Sequence, residues 1–382
     1  MKRTSSIASR SLALHRKLKG KISVAAKAPI RHRDDLSLVY TPGVGAVASE
    51  IAKRPELADA LTWKKNCVAI VSDGSAVLGL GNIGPLGALP VMEGKSVIFK
   101  QFAGIDAVPI VLATQETEEI IATVNAIAPT FGAIQLEDIS APRCFEIERR
   151  LASLLHVPVM HDDQHGTAIV VLAGLLNALK IVKKKLSSVR IVCSGAGAAG
   201  TAIAKLLKAA GAHSIVLCDT KGAIYAGRPD LNPSKVELAS ITNAKREKGE
   251  LAEMIKGADV FIGISKPGVL TSAMIETMAK EPIVFALANP TPEILPDEAK
   301  TAGAFIVATG RSDYPNQVNN ALCYPGLFRG MLDKNVKSIN DAMKIRAARA
   351  IAGFITKPTP DRIIPSIFDK GLHRAVAKSV KR

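Results

Sequence analysis

From about residue 67 onward, short apolar runs alternate with longer stretches in which apolar positions recur at helical spacing. VAIV (68–71), SVIF (96–99), FAGIDAVPIVLAT (102–114), FGAIQL (131–136) and VPVM (157–160) read as buried strands. TQETEEIIATVNAIAPTF, with glutamates in its first turn where the helix dipole favours acids, reads as an amphipathic helix, as does Arg143 to Leu155. A long apolar helix, TAIVVLAGLLNALKIV, follows and ends in Lys183, Lys184 and Lys185. Beyond it come SSVRIVCSG, SIVLCD, ADVFIGIS, PIVFALAN and AFIVATG, all strand-like, and a basic, helical tail from Phe328 to Arg382 with a loop at Pro358, Pro360 and Pro365. Such alternation predicts an α/β fold with mostly parallel sheets. Upstream, LALHRKLKGKISV combines a helix-like spacing with a strand-like end, and a helical stretch is expected around Glu50 to Leu61. Between them Pro42, Gly43 and Gly45 force a turn after Tyr40, whose hydroxyl either points into a cleft or packs at a strand end.

Two strand ends carry paired acids: Glu137 and Asp138 after FGAIQL, Asp162 and Asp163 after VPVM. Carboxylates facing one cleft supply the oxygen ligands that Mg2+ or Mn2+ takes, although single acids there also serve as ordinary turn residues. His161 and His165, four apart, would share a helix face as in H-E-x-x-H zinc hydrolases. Asp162 replaces the general-base glutamate, and no further zinc ligand is evident. Gly79, Gly81 and Gly84 spell G-x-G-x-x-G, but an SDG turn separates them from the preceding strand and Pro85 follows, so a loop and helix start is expected. Lys95 precedes the SVIF run, where its ammonium either joins the carboxylates or stays on the surface. GAGAAG, from Gly195 through Ala196, Gly197, Ala198 and Ala199 to Gly200, is better placed, directly between a strand and a helix. A second strand ends in Asp219, 19 residues on, where a carboxylate would meet the adenosine ribose. Strand-end positions Ser265, Asn289 and Gly310, with Asn319 and Asn320, are expected to line the crevice of that sheet.

A chain of 382 residues, 48% apolar, can bury an ample core. None of its apolar runs approaches the ~18 residues that span a bilayer. Five scattered cysteines form neither a disulfide framework nor a zinc spacing, which fits a reducing cytoplasm. The net charge of +16 raises nucleic acid as a partner, but aromatics are 4% and no recognition motif accompanies the bases. A dianionic substrate would be attracted equally. The acid-free first 33 residues look like a mitochondrial transit peptide, but their helical spacing favours a first folded element.

YTPGVG (40–45), LGLGNIG (78–84), VMEGKSVIFK (91–100), LEDI (136–139), HDDQHGTA (161–168), GAGAAG (195–200), ANPTPE (288–293) and VNNALCYPG (318–326) together resemble the malic enzymes, specifically their short bacterial type, over roughly residues 15 to 375. The resemblance implies oxidative decarboxylation of L-malate to pyruvate and CO2 with NAD or NADP and Mg2+ or Mn2+, by a homodimer. A malolactic or oxaloacetate-decarboxylating enzyme is its alternative, and outside the class stand the zinc hydrolase and a nucleotide sensor. It implies Glu137, Asp138 and Asp163 as metal ligands, Lys95 as base supported by Asp162, Tyr40 as acid, and Asn289 and Asn320 as malate contacts. The larger eukaryotic members grip a substrate carboxylate with an arginine where this chain has Ala76, so another cation is required. The expected organisation is a substrate domain, 1–161 completed by 320–382, facing a doubly wound Rossmann-type coenzyme domain, 162–319. Asp219 predicts NAD over NADP by about tenfold, since one exposed lysine, Lys221, offsets little of its repulsion for a 2′-phosphate, unless Arg228 also enters the pocket.

Overall fold

The computed structural model describes residues 6–381, so Met1 to Ser5, which open the basic N-terminal stretch, lie outside the described residues. Two sheets organise the chain. The first is β2-β1-β3-β4, all parallel, from β1 (Cys67–Ser72), β2 (Asp106–Val111), β3 (Ala133–Leu136) and β4 (Val159–His161). The second is β10-β9-β8-β5-β6-β7, from β5 (Arg190–Ser194), β6 (Ser214–Asp219), β7 (Gly222–Ala223), β8 (Val260–Gly263), β9 (Ile283–Ala286) and β10 (Ile306–Thr309). Only β7 pairs antiparallel. In both sheets the strand order reverses beside the first strand, which opens a crevice at the strand C-termini between β1 and β3 and between β5 and β8.

The SVIF run is not a strand. It lies inside a helix, Gly84–Ala103, that has Pro85 in its first turn and stops at Gly104 with φ 64. Ala88, Met92, Ser96 and Phe99 are its buried positions, spaced four, four and three apart, a helical face to which the run contributes Ser96 and Phe99. Lys95 therefore projects from a helix rather than preceding a strand. ISV at 22–24 forms no strand either, and the stretch before Tyr40 is a helix, Arg33–Val39.

The helix Asp162–Ile181 joins the two sheets. Its first turn carries Asp162 and Asp163, favourable at the positive end of the dipole, and Ala168 to Ala173 are buried without interruption, as expected of a core helix apolar on every side. By length and composition it is apolar enough to cross a membrane, with mean hydropathy 1.2, but 72% of that window is buried within the fold. It packs against the helices Ala198–Ala209 and Asp341–Gly353. Phe99 meets both Tyr324 and Phe328 edge-on, so the C-terminal helix Tyr324–Asp333 closes one hydrophobic core with both sheets. All five cysteines are buried and free. By contrast, no residue from 6 to 66 is buried, and 14 of the 23 exposed large hydrophobics, Ile7 through Trp63, fall there.

Candidate active site

Glu137 and Asp138 leave the C-terminus of β3, where the Glu137 N–H still donates to Val71 of β1 at 2.9 Å. Asp138 adopts the left-handed φ of 54 that short polar side chains tolerate. Its own N–H donates to Asp163 Oδ2 at 2.8 Å, and Gln135 donates to Glu137 Oε2 at 2.7 Å. Ligand atoms of Glu137, Asp138 and Asp163 thereby lie within 4.8 Å of one another. Burial, then the charge of Asp163, raises the Asp138 carboxyl to about 7; burial would also raise Asp163, but His161, 3.2 Å away, brings it down to about 2. Asp138 Oδ2 is buried without a hydrogen-bond partner among the described residues. Three hard oxygen donors, one of them orphaned and mutually repelled, fit a divalent cation of the Mg2+ or Mn2+ kind.

Lys95 reaches this cluster from its helix. Its Nζ lies 2.6 Å from Asp162 Oδ2 and 2.9 Å from Glu137 Oε1, and 4.7 Å from the centre of the Tyr324 ring. Burial alone would lower Lys95, but Asp162 and Glu137 carry it well above the usual lysine range. Lys95 and Asp162 are legible in the sequence, whereas Tyr324 sits in the apolar run LCYPG and reads there as core. It is core, yet its hydroxyl is buried without a partner among the described residues. Tyr40 is not brought to the cluster within the chain: it is 63% exposed and does not line the cavity there.

That cavity, about 600 Å3, runs from Lys95, Glu137, Asp138 and Asp163 to Ser265, Asn289, Gly310, Asn319 and Asn320 at the strand ends of the second sheet. Around it GAGAAG makes the turn from β5 into its helix. Gly195 has φ 114, and a Cβ on Gly200 would sit 2.0 Å from the Gly195 carbonyl, so both positions demand glycine, while the helix starting at Ala198 presents its N-terminus. Asp219 ends β6 as expected. Arg228 at 2.7 Å and Lys235 at 2.6 Å both bind its Oδ2, and although burial opposes it they hold its carboxyl down at about 2. Lys221 pairs instead with Asp230 at 2.9 Å. The two histidines do not converge on a zinc site: His161 faces Asp163, whereas His165 meets Glu148 at 3.0 Å.

Residues 19–152 match the family described as malic enzyme, N-terminal domain, and residues 164–381 that described as malic enzyme, NAD binding domain. The chain is 54% identical to the NAD-dependent malic enzyme of Geobacillus stearothermophilus, covering 98% of this chain and 78% of that one. It is 53% identical to the bifunctional malic/malolactic enzyme of Bacillus subtilis, over 99% and 93%. Its fold matches the crystal structure of an NAD-dependent malic enzyme from Thermotoga maritima with TM-score 0.94, at 50% identity over 97% and 98% of the two chains. A nucleotide-binding α/β sheet facing a carboxylate-lysine cluster, joined to these likenesses over almost its whole length, places this chain in the malic enzyme family.

Proposed function

We propose that L-malate is oxidised at C2 and decarboxylated at C4 in the cavity between a substrate half, 1–161 with 320–382, and a coenzyme half, 162–319. The observation carrying the residue roles is the Lys95 ammonium held between Asp162 and Glu137, beside the three-carboxylate set. Glu137, Asp138 and Asp163 would hold the divalent cation. When bound, that cation would supply Lewis acidity and the nicotinamide coenzyme would supply the hydride acceptor. Lys95 takes the C2 hydroxyl proton, and Asp162 holds the resulting ammonium. Hydride loss leaves oxaloacetate; its C3–C4 bond then breaks, CO2 departs, and the electron pair stays as the enolate. A tyrosine hydroxyl protonates C3 to give pyruvate, with Asn289 and Asn320 orienting the carboxylates. Glu137 is both a candidate ligand and one of two groups retaining the Lys95 proton, so cation binding and deprotonation of Lys95 favour one another.

We assign the proton donor to Tyr40 of a second copy. The exposed apolar residues of 6–66, together with Leu78, Leu80, Ile83 and Leu86 on the loop and helix start after β1, support a homodimer in which the N-terminal arm packs on its partner. Tyr324 is the second reading, favoured by its 4.7 Å approach to Lys95. The five free, buried cysteines support a reducing cytoplasm. Asp219 supports NAD, but Arg228 and Lys235 neutralise the carboxylate whose repulsion would exclude NADP. We therefore place the preference for NAD below tenfold.

Malate-dependent growth of the reduced-nicotinamide absorbance with Mn2+, read for both coenzymes, tests the reading. Lactate formed without coenzyme turnover would replace it with malolactic chemistry, and an NAD/NADP ratio of kcat/KM well above ten would restore Asp219 as a free carboxylate.

A further inference from the structure

Malate enters as a dianion, yet its cavity is lined by three carboxylates, Glu137, Asp138 and Asp163. Two lysines, Lys95 and Lys21, are the cations on that lining among the described residues, and Ala76 on the same wall offers no charge. Lys95 is already shared between Asp162 and Glu137. Lys21 is not so committed. Its backbone N–H donates to Glu93 at 3.1 Å, which fixes the chain against the helix carrying Lys95. Its Nζ donates to the Pro90 carbonyl at 2.5 Å, leaving two of its three donors. The ammonium lies beside Gly94, the residue immediately before Lys95; a Cβ built there would stand 3.7 Å from it.

We propose that Lys21 binds the C1 carboxylate of malate, the one retained in pyruvate. The inference rests on malate occupying this cavity. The chemistry selects C1 over C4: a cation on the departing carboxylate would stabilise the ground state against loss of CO2, whereas one on the retained carboxylate grips substrate, intermediate and product alike. Lys21 is then a binding residue whose contribution is felt in KM and not in kcat.

The test is Lys21→Ala and Lys21→Arg in the full chain with saturating NAD and Mn2+. Wild-type turnover of malate first verifies the reading on which the inference rests. Lys21→Ala should then raise KM for malate about 10- to 100-fold, the range for one hydrogen bond to a charged group, with kcat within about threefold. Product inhibition by pyruvate should weaken by the same factor, coenzyme affinity should hold, and Lys21→Arg should recover most of the loss. An unchanged KM overturns the proposal. So does a fall in kcat at constant KM, which would mean that Lys21 merely positions the helix of Lys95. A raised KM for malate with unchanged pyruvate inhibition overturns the C1 assignment.

Discussion

Asp138 and Asp163 are neighbours whose protons behave oppositely. Asp138, raised by burial and by Asp163 from its ordinary 3.8 to about 7, keeps in the folded chain a proton that the unfolded chain has lost between those values, so stability falls as pH rises through that window. Asp163, brought down to about 2 from 3.8, adds stability that is present above 3.8 and lost as pH falls toward 2. Melting temperatures between pH 5 and 7.5 in a chelator should therefore decline with pH, and saturating Mn2+ should flatten that slope. An equal slope with and without Mn2+ would remove the cation from these carboxylates. Tyr40→Phe should slow pyruvate formation about 10²-fold. Full activity there, with that loss in Tyr324→Phe, would move the proton donor to Tyr324. The acids were legible because they close two apolar runs, and Lys95 because it borders one. Lys21 was not, since only a fold that brings residue 21 against residue 93 gives it a role.

At the scale of elements, GAGAAG could be read because strand, turn and helix follow without a gap, which the copy at 79–84 lacks. The structure separates two kinds of glycine within it. A Cβ at Gly200 meets the Gly195 carbonyl, whereas one at Gly197 meets nothing within 4 Å among the described residues, and the middle glycine of such a turn is the one that admits a pyrophosphate close to the backbone. Gly200→Ala should thus lower both thermal stability and NAD affinity, while Gly197→Ala should lower affinity alone. Calorimetry beside NAD titration checks this, and a destabilised Gly197→Ala would refute the distinction. SVIF deceived because so short an apolar run suits either period; the helical face became visible only through Ala88 and Met92, a turn and more upstream.

Viewed as a whole molecule, the chain has a densely buried body and an arm that, among the described residues, has no buried residue before Cys67. Parallel α/β architecture was legible from alternation alone, but exposure of the arm is a tertiary property that no local pattern reports. Light scattering should give about twice the 40.3 kDa of one chain, and a fully active monomer would sink both the dimer and the transfer of Tyr40 between copies. The buried thiols have a further use. Cys193 and Cys218 sit in the second sheet and Cys67 in the first, each raised to about 12 chiefly by burial. Neither access nor thiolate is available until a strand opens, so the chain carries its own reporters of breathing. Alkylation followed by peptide mass analysis would rank the two sheets by how often each opens, and coenzyme should slow the labelling of Cys193 and Cys218 more than that of Cys67.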